Sequence, residues 1–136
     1  MPHTHERITK MLETYRRELP KPPEDSPPQV CRGYRCIKQH LFSPRLTVRW
    51  LKDECNINGN NFSGKFRYYV GNPPKSYYLE HRIKVSKKLF RILAHEDVSI
   101  LNIALSVGFK SHASFTMTFK EYEGKSPKEF KAESLK

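Results

Sequence analysis

Nowhere in the 136 residues is there an apolar run near the eighteen or so that a membrane-spanning helix needs, and the opening MPHTHERITK has no hydrophobic stretch of the kind a secretory leader carries. Both absences point to a cytoplasmic protein with no membrane partner. Cysteine is scarce. Cys31, Cys36 and Cys55 make an odd number without a disulfide framework, which suits a reducing compartment. No pair has the C-x2-C spacing of a zinc site. Cys36 and His40 share a helix face, but Cys55 already fits a core position, so neither a metal nor a cofactor is expected. The six glycines form no phosphate-cradling cluster, and neither paired carboxylates nor a nucleophile with its base stands out. An enzyme is therefore excluded. His3, His5, His81 and His95 lack a catalytic partner pattern and read as surface residues.

Acidic side chains run short after residue 30. Residues 1–30 hold five basic and five acidic groups, whereas residues 31–136 hold twenty and nine and so carry the whole net charge of +11. A basic excess confined to one segment calls for a polyanion, and double-stranded DNA is the expected partner. Residues 1–32 read as an arm. Thr4 caps a short helix with Ile8, Met11, Leu12, Tyr15 and Leu19 on one side, and LPKPPEDSPPQ then forms a stiff linker. That apolar stripe is expected to pack back on the domain, with a second protomer or another protein as the alternative contact.

What the chain does have is helix punctuation. Ile100, Ile103, Ala104 and Val107 follow one helix face, Gly108 stops that helix, and Ser111 caps the next, whose inward stripe is Phe115, Phe119 and Tyr122. Gly124 ends it and Ser126-Pro127 opens another. The same grammar occurs upstream. Arg32 to Phe42 reads as a helix with Tyr34, Ile37 and Leu41 inward, and Leu46 to Cys55 as a second with Val48, Leu51 and Cys55 inward. Asn58 is read as the cap of a third, striped by Phe62, Phe66 and Tyr69, and Pro74 to Ala94 as a long fourth. At a spacing of 53, Phe62 matches Phe115, Phe66 matches Phe119, Gly71 matches Gly124 and Pro74 matches Pro127. A duplicated helix-turn-helix follows: all-α, with units at 46–70 and 99–123 joined by a linking helix over 73–94.

The second repeat, with Ile103-Ala104, Val107-Gly108-Phe109, Ser111, Phe115, Phe119-Lys120, Gly124 and Ser126-Pro127, resembles the signature of the AraC/XylS family of bacterial transcription regulators; Arg82 to Leu89 follows the family pattern too. The resemblance covers residues 33–133. It implies about seven helices in the domain, with one helix of each unit entering the DNA major groove, and a regulator of transcription that meets RNA polymerase at the bacterial nucleoid. Many members also carry a sensing domain; the thirty residues ahead of this one are too few, so no effector pocket is expected.

Geometry supports a two-part site independently. The 21 residues from Pro74 to Ala94 span about 31 Å as a helix, close to the roughly 34 Å of one DNA turn. A monomer can then occupy an asymmetric site. With the phenylalanines inward, the base-reading candidates are Asn60, Asn61, Ser63 and Gly64 in the first unit and His112, Ala113, Ser114, Thr116 and Met117 in the second. Arg67, Lys120, Arg49 and Ser111 are assigned to phosphates. Family members often have arginine where this chain has Gly64 and Met117, and a small residue where it has Lys52, whose stem is expected to turn outward. The bidentate guanine contact is thus missing from both helices, which leaves a weakly specific DNA binder or protein adaptor as the alternative function. Trp50 lies off the Leu51 stripe and reads as rim filler or a polymerase contact.

Overall fold

Small polar residues and prolines set the boundaries of the helices. In the computed structural model, which describes residues 2–58 and 60–136, they are α1 (Pro2–Glu18), α2 (Pro28–His40), α3 (Val48–Glu54), α4 (Phe62–Val70), α5 (Pro74–Ile92), α6 (Ile100–Ser106), α7 (His112–Glu123) and α8 (Pro127–Glu133). No strand occurs among the described residues. Thr47, Ser99 and Ser111 each accept the amide of the residue three positions on, at 3.0–3.1 Å. Ser126 and Glu129 complete a reciprocal capping box at the start of α8. Gly108, at φ 104°, and Asn56, at φ 52°, take the left-handed turn between the helices of the two units.

Four starts differ from expectation. α1 runs from Pro2, so Thr4 lies inside it rather than capping it, and α3 begins at Val48 rather than Leu46, with Thr47 as its cap. α2 begins at Pro28 rather than Arg32, because Pro28 fills the first helical position and lets Val30 reach the core. α4 begins at Phe62 with Asn61 as the flanking residue. Asn58 does not cap it, and Asn61, at φ 64°, makes no capping hydrogen bond. At the matching ends of α4 and α7, Tyr69 is half-buried and Tyr122 is 39% exposed, so both belong to the rim rather than the stripe.

Each unit has its own core. Val30, Tyr34, Ile37, Leu41, Leu51, Ile57, Phe62 and Phe66 fill the first; Leu89, Phe90, Ile103, Val107, Phe115 and Phe119 fill the second. α5 serves both, giving Tyr77 and Tyr78 to the first and Ile83, Leu89 and Phe90 to the second. α1 lies across the pair. Ile8 is buried in the second core and Leu19 in the first, while Tyr15 packs against both. Its apolar stripe is therefore spent within the chain. His81 is drawn in as well, half-buried with Nδ1 2.7 Å from the Tyr15 hydroxyl, and is not a surface residue.

Cys36 and Cys55 form a disulfide, contrary to the reading of three cysteines without a framework. Packing of α2 on α3 brings their Cα atoms to 6.6 Å. Their sequence spacing carries no sign of this. Cys31 is a free, half-buried thiol, and among the described residues no histidine, cysteine and carboxylate cluster could hold a metal.

Candidate nucleic-acid interface

α7 presents a regular outward face. His112, Ala113, Ser114 and Lys120 are exposed, Thr116 is half-buried, and Met117 is 74% exposed as the longest side chain near the middle of the helix. Three of these groups are already engaged. The Ser114 hydroxyl donates to the Ser111 carbonyl at 3.1 Å, and Thr116 Oγ1 lies 3.4 Å from His112 Nδ1. Ser111 Oγ accepts the Ser114 amide as the cap and donates its own O–H to Ser114 Oγ at 3.1 Å, so a phosphate would have to compete for that donor. Behind this face, Phe115 and Phe119 are fully buried and Lys87 of α5 pairs with Glu123 at 2.7 Å, which fixes the roll of α7.

α4 is shorter by one turn. Ser63, Gly64 and Arg67 lie on its exposed face, but Asn60 and Asn61 precede the helix instead of forming its first turn. Asn61 folds back over Gly64: a Cβ built on Gly64 would lie 2.3 Å from Asn61 Oδ1. Glycine at 64 therefore makes room for the asparagine amide. Lys65 and Tyr68, the latter 80% exposed, extend the same outward surface and were not among the expected contacts.

Between the units runs an open groove of about 410 Å³, lined by Arg45, Thr47, Arg49, Trp50, Asp53 and Lys110. Arg49 was expected to meet phosphate; Arg45 and Lys110 were not. Lys110 is the residue by which the second turn exceeds the first, and only the fold places that insertion beside the first unit's arginines. Trp50 is half-buried, edge-on to the His40 ring with the ring centres 4.9 Å apart. Lys52 is exposed, as its long stem requires beside a packed helix.

A family model described as a helix-turn-helix domain matches residues 51–133. The transcriptional regulator AlkR of Acinetobacter baylyi is 30% identical over 107 residues, covering 79% of this chain and 34% of that protein. The melibiose operon regulatory protein of Escherichia coli K12 is 32% identical over 90 residues, covering 66% and 29%. The chain thus spans about a third of the length of the curated relatives it matches. Among solved structures, the C-terminal domain of AraT, a response regulator from Geobacillus stearothermophilus, superposes with a TM-score of 0.70 at 21% identity, covering 81% of this chain and 88% of that one. The DNA-binding domain of AdpA, solved with a target DNA, does so with a TM-score of 0.64 at 21% identity, covering 77% and 91%.

Proposed function

Since the chain belongs to the AraC-type helix-turn-helix family, we propose that it is a sequence-specific DNA-binding regulator of transcription that sets α4 and α7 into successive major-groove segments. One observation carries this reading: two uncovered helix faces, rich in short polar side chains, stand on a single linking helix of 19 residues, about 28 Å long. Ser63, Gly64, His112, Ala113, Ser114, Thr116 and Met117 lie nearest the bases, with Asn60 and Asn61 entering from the loop ahead of α4. Arg45, Arg49, Arg67, Lys110 and Lys120 hold phosphates, the groove between the units taking the backbone that separates the two half-sites.

The unequal units favour a monomer on an asymmetric site, in the cytoplasm of a bacterium, with RNA polymerase as the second partner. Selection of bound duplexes from a random pool, followed by competition with non-specific DNA, tests the reading. An asymmetric enriched motif of two parts about one DNA turn apart is the expected result. A pool that stays random, with binding abolished equally by any competitor, would sink base-specific recognition.

A further inference from the structure

Arg82 stands in the middle of α5, where the two units meet, and it is only 4% exposed. Its Nε donates to the Leu41 carbonyl at 2.8 Å and Nη2 to the Ser43 carbonyl at 2.8 Å, both in the turn that follows α2 in the first unit. Nη1 donates to the Gly108 carbonyl at 3.4 Å, in the turn of the second helix-turn-helix. The guanidinium carbon is 4.9 Å from the Tyr78 ring centre and 5.6 Å from that of Phe109, one ring from each unit's core region. None of the ion pairs among the described residues involves Arg82. A buried charge without a carboxylate is held here by carbonyl oxygens and ring faces alone.

The second turn is shaped around the same group. A Cβ on Gly108 would lie 2.8 Å from the Arg82 guanidinium carbon, so glycine is needed there for room as well as for its φ of 104°. Five donors in a rigid plane can satisfy carbonyls from two directions at once, which an ammonium on a flexible stem cannot do with fixed angles. Each unit's phenylalanine core closes without Arg82. What its hydrogen bonds add is a fixed relation between the turns.

We propose that Arg82 is a positioning residue that sets the orientation of one helix-turn-helix unit relative to the other, and thereby the spacing of half-sites that the protein accepts. The inference rests on the DNA-binding reading above. A change of one base pair between half-sites moves the second by about 3.4 Å and rotates it by about a tenth of a turn. A rigid frame meets such a change with lost base contacts; a loosened frame follows it.

The test measures affinity of the full chain for its enriched duplex and for duplexes with one base pair added or removed between the half-sites. Wild type should lose about tenfold or more per base pair, as a missing bidentate or equivalent contact predicts. Arg82→Lys should lose about threefold or less while binding an isolated half-site as well as wild type does. Amide residual dipolar couplings of α4 and α7 in the DNA-free protein provide a second readout: one alignment tensor for wild type and two for Arg82→Lys. A folded Arg82→Lys protein with the wild-type spacing penalty overturns the inference. So does wild type whose units align independently, a measurement that decides the matter even if the variant fails to fold. If wild type shows no preference among duplexes, the DNA reading fails, and the couplings still judge the positioning role.

Discussion

His81 sits edge-on to Tyr15 and Tyr77, with ring centres 5.8 and 4.5 Å away, and its Nδ1 meets the Tyr15 hydroxyl. Burial pushes its pKa below the ordinary 6.5; Lys84 lowers it further and Glu80 opposes them. Folded protein thus keeps the ring neutral at a pH where the unfolded chain has already taken up a proton. The associated stability is complete above about pH 6.5, falls as pH drops from there through the folded value, and is flat below it. The slope cannot exceed about 1.4 kcal/mol per pH unit for one proton. Thermal unfolding from pH 7.5 to pH 5 should therefore decline less in His81→Gln than in wild type. Equal declines would show that the ring titrates normally. Arg82 is the other displaced group, brought down to about 10 by burial with Tyr78 opposing, so it stays charged throughout that range.

The outward-facing helices α7 and α4 were legible to different degrees. α7 follows its sequence from Ser111 to Gly124 because a serine cap and a glycine stop use local chemistry that any fold would respect. α4 does not, since Asn56 to Asn61 offers several residues able to cap or to adopt the left-handed region, and the choice of Asn61 depends on the space above Gly64. The Cys36–Cys55 bridge, the partnership of Lys110 with Arg45 and Arg49, and the burial of His81 were hidden for a related reason. Each depends on how separate helices pack, to which hydrophobic periodicity along one helix is blind. A consequence separates two substitutions that look equivalent in sequence. Met117→Arg places its side chain in open space and should change stability by less than about 0.5 kcal/mol while adding preference for guanine at one position. Gly64→Arg must first displace the Asn61 amide, so its enriched motif should change at two neighbouring positions. Melting curves and enriched motifs for both variants check this; a single changed position for Gly64→Arg would mean that Asn61 does not contact bases.

Charge and packing assign opposite roles to the N-terminal segment in the whole molecule. Its net charge of zero adds nothing to long-range attraction for DNA. Yet α1 buries Ile8 in the second core, pairs Arg7 with Glu96 and ties Arg16 to the Gln39 carbonyl at 2.7 Å, so it braces both units. Ile8→Ala should cost about 2–4 kcal/mol of unfolding free energy, read from denaturant melts. Removing residues 1–18 should lower stability further. Salt titration then isolates the electrostatic part. Twenty basic groups beyond residue 30 can neutralise six or more phosphates, so affinity should fall by about a thousandfold between 50 and 200 mM salt. Because the slope counts phosphates neutralised rather than the rigidity of the frame, the shortened protein, measured at a temperature where it remains folded, should keep the same slope even if its affinity drops. A shallower slope would place Arg16 or Arg17 against the DNA backbone and make α1 part of the interface as well as its brace.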